Sequence, residues 1–127
     1  MRELSLAVVG LDFPNPDRSR SNRRFEVALC APGDPVELRP EPRNPVDPRA
    51  VAVFSGRGVQ IGYLSAERCG LIGKRLNAGE VYRAVFQGAD RHKAVIRVRF
   101  GGGEPTLPAR AGDADEPDEY AQPDWEE

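Results

Sequence analysis

The sequence predicts a mainly β protein, a small β-barrel of six or seven short strands with one main capping helix at about residues 66–78. Three observations carry that reading. Short apolar or alternating runs recur between clusters of turn residues, only one stretch has helical periodicity, and Gly 13 with Pro 12 is more than a helical bundle of 127 residues carries.

Leu4–Leu11 is the first expected strand, apolar and closed by Gly10. A polar loop from Asp12 to Asn22 follows, with Pro14, Asn15, Pro16 and Asp17 as turn formers. The alternation Phe25, Val27, Leu29 marks a second strand stopped by Pro32 and Gly33, and Val36–Arg39 a third. Four prolines between Pro40 and Pro48 exclude an interior strand there and predict an ordered loop. Ala50–Ser55 and Val59–Leu64 flank Gly56, Arg57 and Gly58 as a hairpin. Ser65 is placed to cap a helix from Ala66 to Ala78, with Leu64, Leu71, Ile72 and Leu76 on its buried side and Gly79 ending it. Gly70 and Gly73 weaken that helix by roughly 1 kcal/mol each, which close packing on the sheet would offset. Val81–Gln87 and His92–Phe100 are the last two strands. In the second of these Ala94, Ile96, Val98 and Phe100 alternate with Arg91, Lys93, Arg97 and Arg99, a basic stripe on one face. Residues 1–103 thus form the expected domain, and 104–127, rich in Pro, Ala, Asp and Glu, the expected disordered tail.

Charge is divided the same way. All 18 Lys and Arg and 12 of the 20 acids lie in residues 1–110, while Ala111–Glu127 holds the other 8 acids and no base. A basic body attracts polyanions, and an acidic tail competes for the same surface. Arg outnumbers Lys 16 to 2, which fits either GC-rich codon usage or phosphate binding. The tail is either a solubility element or, through Tyr120 and Trp125 among its acids, an occupant of the nucleic-acid surface or a recruiter of a partner. The apolar run at the N-terminus is far below the roughly 20 residues of a membrane helix, so neither a signal peptide nor a membrane anchor is expected. Cys30 and Cys69 do not make a disulfide scaffold, and a reducing, cytoplasmic setting fits them best.

Catalytic chemistry finds few candidates. His92 falls on the apolar phase of its strand, Cys30 ends an apolar run and reads as buried, and neither has a partner at nucleophile spacing. One His and two distant Cys fall short of a zinc site. The stretch Gly70, Leu71, Ile72, Gly73, Lys74 lacks the spacing and the Ser or Thr of a P-loop, and it lies within one helix rather than between the two of a KH clamp. A non-enzyme without metal or cofactor is the expectation. The informative stretch is Arg39–Phe54, where prolines stiffen a loop that displays Arg43, Asn44, Asp47 and Arg49. Such a loop either presents binding groups or merely caps its own turns through Asn44 and Asp47.

Val8, Val9, Gly10; Gly33, Asp34, Val36, Leu38, Arg39; Asn44, Pro45, Asp47, Pro48, Ala50–Val53; and Gln60, Ile61, Gly62, Tyr63, Leu64 together resemble the HIRAN domain, over roughly residues 6–100. That family occurs alone in bacteria and fused to Swi/Snf-type ATPases in eukaryotes. The resemblance implies an OB-like β-barrel and, as in the eukaryotic helicase-like transcription factor, binding of free 3′ ends of single-stranded DNA at stalled forks. It implies Arg24 and Phe25 as pocket residues, with Phe25 a base-stacking platform, and Asn44 and Asp47 as loop residues, with Asp47 accepting a hydrogen bond from a terminal 3′-hydroxyl. Phe25 could equally be the first core residue of its strand. Where the family's loop usually carries Tyr, this chain has Val46, so one stacking surface is missing; Tyr63 is the candidate for part of it. Arg23, Arg24, Arg39, Arg43, Arg49, Arg91, Lys93, Arg97 and Arg99 are the candidates to track a nucleic-acid backbone. The expected partners are single-stranded DNA or DNA ends, with a repair or helicase protein as a further one. The competing class is a protein-docking domain that uses the loop 40–48.

Overall fold

The computed structural model describes residues 3–15 and 22–107. These form β1 (Glu3–Val9), α1 (Arg23–Leu29), β2 (Val36–Pro40), β3 (Val51–Ser55), β4 (Gln60–Leu64), α2 (Ala66–Asn77), β5 (Tyr82–Ala89) and β6 (Ala94–Phe100). The six strands make one antiparallel sheet in the order β2-β3-β4-β1-β6-β5. The sheet curls until its edges meet at a bridge between Pro35 and Val85. There Gly33 N donates to Phe86 O at 2.8 Å and Phe86 N to Asp34 O at 2.7 Å. The architecture is therefore mainly β and barrel-like, as the spacing of strands and turns predicts. No helix among the described residues is long and apolar enough to cross a membrane.

Alternation places the core. Leu4, Leu6 and Val8 of β1 point inward against Ile96 and Val98 of β6, and Val51, Val53 and Ile61 close the other side. The hairpin forms around Gly56–Gly58, with Ser55 N donating to Val59 O and Gly58 in the left-handed region at φ 83°. On α2 the inward face is Cys69, Ile72 and Gly73, with Leu76 half-buried. Leu71, expected on that face, is exposed, because it lies about 100° around the helix from Ile72. Gly73 would bring a Cβ within 3.7 Å of Val51, so the expected close packing on the sheet is realised.

The segment expected as the second strand is a helix. Asn22 caps α1, its Oδ1 accepting from Phe25 N at 2.6 Å, and the inward residues Arg23, Glu26 and Val27 follow helical spacing. Phe25 and Leu29, four apart, share the exposed side of this helix while Val27 faces inward, and three alternating apolar residues are too few to separate that pattern from a strand. Glu26, buried, anchors α1 to the hairpin: Ser55 Oγ donates to its Oε2 at 2.7 Å and Arg57 Nε at 2.8 Å.

The basic stripe of β6 is also altered. Val95 interrupts it as a buried residue, while Arg97 and Arg99 each pair with Glu3 on β1 at 3.0 Å. Arg91, His92 and Lys93 belong to the β5–β6 turn, where Asp90 Oδ1 accepts from His92 N and Lys93 N. His92 is therefore exposed in a turn and not on a strand. Of the expected tail, residues 104–107 lie against the body, with Thr106 N donating to Glu3 and Leu107 beside Gly33. Residues 108–127, with Tyr120 and Trp125, lie outside the described residues.

Candidate nucleic-acid interface

Four segments meet where α1 begins: the turn 10–15, the first turn of α1, β4 and the loop 41–50. Two turns shape that loop, with Asn44 N donating to Glu41 O and Ala50 N to Asp47 O, both at 2.9 Å. The Asn44 side chain is fully engaged within it. Its Nδ2 donates to Glu41 Oε1 at 2.9 Å, and its Oδ1 accepts from Val46 N at 2.8 Å and Asp47 N at 3.0 Å. Asn44 thus sets the loop's shape, the self-capping role that Asn favours in turns.

Glu41 joins this loop to the sheet. The same Oε1 accepts from the Tyr63 hydroxyl at 2.8 Å. Burial and the Glu41 carboxylate push the Tyr63 phenol above its usual range, so it remains a neutral donor. The Arg23 guanidinium lies 5.5 Å from the Tyr63 ring centroid, donating from Nε to Asn15 Oδ1 at 2.7 Å and from Nη1 to Gly10 O at 2.9 Å. Asn15 in turn donates to Gln60 O at 3.0 Å. Arg23 is only 4 % exposed and, among the described residues, no carboxylate lies within ion-pairing distance of it. Burial draws its pKa below the ordinary arginine value, yet a guanidinium keeps its proton in proteins, so a positive charge is fixed beneath this surface.

The next two residues face outward. Arg24 pairs with Asp12 and donates from Nη2 to Arg91 O at 2.6 Å, which joins α1 to the turn 10–13 and to the β5–β6 turn. Phe25 is 55 % exposed, which removes the reading of it as a core residue. Asp47 stands on the rim of the loop. The Arg49 amide, donating at 2.8 Å, and then the Arg49 guanidinium hold its carboxyl below the usual range, so it is an acceptor across ordinary pH. Arg43 and Val46 are exposed on the same loop.

The structure therefore links Arg23, Tyr63, Asn44 and Asp47 through one hydrogen-bonded and stacked chain, with Arg24 and Phe25 on the adjoining helix. Arg49 diverges from them. Its side chain crosses Gly70 of α2 and lines a groove of about 530 Å³ with Pro40, Pro42, Pro48, Gly73 and Lys74. Lys93, 3.9 Å from Asp90, belongs to the β5–β6 turn, which Arg24 joins through the Arg91 carbonyl. Arg39 stacks on Phe54 at 3.8 Å and pairs with Glu37. Cys30 is half-buried and Cys69 buried, both as free thiols; burial pushes the Cys30 thiol up, away from a reactive thiolate. Sequence reading missed Glu41, Asn15 and Asp12. The Glu41 signal was present, three residues before Asn44, where a turn side chain needs an acceptor.

Comparison with known proteins agrees with this architecture. The crystal structure of the HIRAN domain of human HLTF superposes with a TM-score of 0.62 at 22% identity, covering 81% of this chain and 78% of that one. An NMR structure of the HLTF HIRAN domain in its DNA-bound conformation gives 0.55 at 20% identity, covering 94% and 85%. A protein from Lactobacillus plantarum gives 0.59 at 15% identity, covering 76% and 96%. No curated protein sequence matches the chain. The HIRAN domain family model matches residues 3–99. With three quarters of its length matched and the fold shared, the chain belongs to the HIRAN domain family.

Proposed function

We propose that this chain is a non-catalytic nucleic-acid-binding module that takes single-stranded DNA, and preferentially its 3′ end, in a repair or replication-fork setting. The observation that carries the reading is Asp47, a half-buried ionised carboxylate in a loop that Asn44, Glu41 and Tyr63 brace against a fixed guanidinium. A carboxylate beside a polyanion repels a continuing phosphodiester but accepts a hydrogen bond from a terminal hydroxyl, so it selects ends. Family membership and the DNA-bound conformation of the HLTF domain support the choice of ligand. Phe25 is the stacking platform, Arg24, Arg43 and Lys93 are the cations for the backbone, and Arg49, turned towards α2, holds Asp47. Arg23 and Asn44 act from beneath, by holding Tyr63 and the loop.

Salt dependence tests the class. Phosphate contacts predict that log K for a single-stranded oligonucleotide falls with log salt by about 0.7 per neutralised phosphate. A flat response, or no binding of any oligonucleotide, returns the chain to the competing reading, a protein-docking domain. That reading is favoured by the proline-walled groove between the loop 40–48 and α2. Asp47→Ala tests the end preference: the ratio of affinities for strands ending in 3′-hydroxyl and 3′-phosphate should narrow towards unity. An unchanged ratio removes Asp47 from end recognition.

A further inference from the structure

The groove between the loop 41–50 and α2 is apolar on both walls. Pro40, Pro42 and Pro48 stand on one side, and Leu71, 40 % exposed, stands on the other. Gly70 leaves the helix bare between them, and Arg49 lies across it, its Cδ 3.7 Å from where a Cβ on Gly70 would be. Each wall also carries a cation. Arg49 comes from the loop with its side chain 69 % exposed. Lys74, four residues after Gly70, is exposed on α2, and among the described residues no carboxylate lies within ion-pairing distance of it. Glu67 is the one acid on the lining. Two cations around apolar walls suit an apolar ring with negative charge on both sides, whereas a run of phosphates would meet Glu67.

The chain itself carries such a ring. Gly101, Gly102 and Gly103, all in the left-handed region at φ 90°, 101° and 87°, fold it back after β6. Glu104 then pairs with Arg83 at 3.3 Å, Thr106 N donates to Glu3, and Leu107 lies beside Gly33. Gly33 leads into β2, whose far end, Pro40, is a wall of the groove about 23 Å away at strand rise. The 18 residues from Leu107 to Trp125 reach up to about 60 Å when extended. Trp125 has Asp124 before it and Glu126 and Glu127 after it, while Tyr120 has acids only before it, at Asp118 and Glu119.

We propose that the segment 111–127 docks in this groove, with the Trp125 ring between the prolines and Leu71 and the acids around it opposite Arg49 and Lys74. Burial of an indole supplies the apolar part of the contact. The link through Leu107 supplies a high effective concentration, so a contact that is weak between separate molecules is populated within one chain. The inference stands apart from the nucleic-acid reading, since it needs no oligonucleotide.

Trp125 is the only tryptophan in the sequence, so intrinsic fluorescence of the full chain reads its surroundings directly. Emission and acrylamide quenching are measured for wild type, Leu71→Glu, Lys74→Glu, Val81→Glu and a free peptide of residues 108–127. Wild type should emit to the blue of the peptide and be quenched less. Leu71→Glu should return both readings to the peptide's values, and Lys74→Glu should lose part of the shift. Val81→Glu, at an exposed apolar site outside the groove, should keep it. Circular dichroism should give all three variants the wild-type midpoint, since each replaced side chain is exposed.

Wild-type emission equal to that of the peptide overturns the docking. A blue shift that survives both groove variants, or is lost equally in Val81→Glu, places the ring elsewhere and overturns it too. A shift that vanishes on dilution makes the occupant a second copy's segment and removes docking within one chain. If Lys74→Glu weakens binding of a single strand and leaves the emission unchanged, the groove belongs to nucleic acid and the inference falls.

Discussion

Gly62→Ala should destabilise the folded protein by about 3 kcal/mol, the upper end of the range for forcing extra atoms into a filled interior. Gly62 sits in β4 where that strand meets β1, which it pairs only at Val8 and Val9. A Cβ there would collide with the Val9 carbonyl oxygen and stand 2.9 Å from Val8 Cγ1, in a part of β1 that is wholly buried at Val8. Neither neighbour is the free end of a flexible side chain, so relief requires β4 to move away from β1. Tyr63 would move with it and strain its bond to Glu41. For an ordered body of about 100 residues the cost corresponds to a fall in Tm of roughly 10–20 °C. Gly88→Ala is the control, since nothing lies within 4 Å of a Cβ at that position in β5. Equal denaturation midpoints for wild type and Gly62→Ala would show that the strands do not approach so closely.

Phe25→Ala should weaken binding of a single strand by about 1–3 kcal/mol, or roughly 5- to 150-fold, without unfolding the domain. The ring is 55 % exposed, so its removal opens little cavity, and alanine is the best helix former for the first turn of α1. The cap from Asn22 uses the Phe25 amide, which alanine keeps. Anisotropy measured beside a denaturation curve separates the alternatives. Lost affinity with an unchanged midpoint assigns the ring to the ligand. A midpoint that falls in step with affinity would make it a structural residue, and unchanged affinity would remove it from the interface.

Much of this was legible in the residues themselves. The glycine hairpin, the capping helix and the alternation of β6 depend on local spacing, and each formed close to its expected bounds. The segment around Phe25 was misread because Phe25 and Leu29, four apart, fit one helix side as readily as they fit a strand's alternation. The signal that decided it was Asn22, three residues ahead of the amide it caps, rather than the hydrophobic pattern. The basic stripe was misjudged for a different reason: Glu3, which pairs with both Arg97 and Arg99, is more than 90 positions away in the chain.

Taken alone, the order of residues determined that the chain would make a curled sheet with a proline-stiffened loop, a cationic body and the motifs of the HIRAN family. It did so because turn chemistry, alternation and composition are local. Only the tertiary structure decided that neighbouring Arg23, Arg24 and Phe25 would take opposite fates, the first buried on Tyr63 and the others facing solvent. A helix turns about 100° per residue, and which side becomes the inside depends on β4 and the turn 10–15 closing over it. The same closure made Glu41 the brace of the loop, since its partners Tyr63 and Asn44 meet only after the strands have paired.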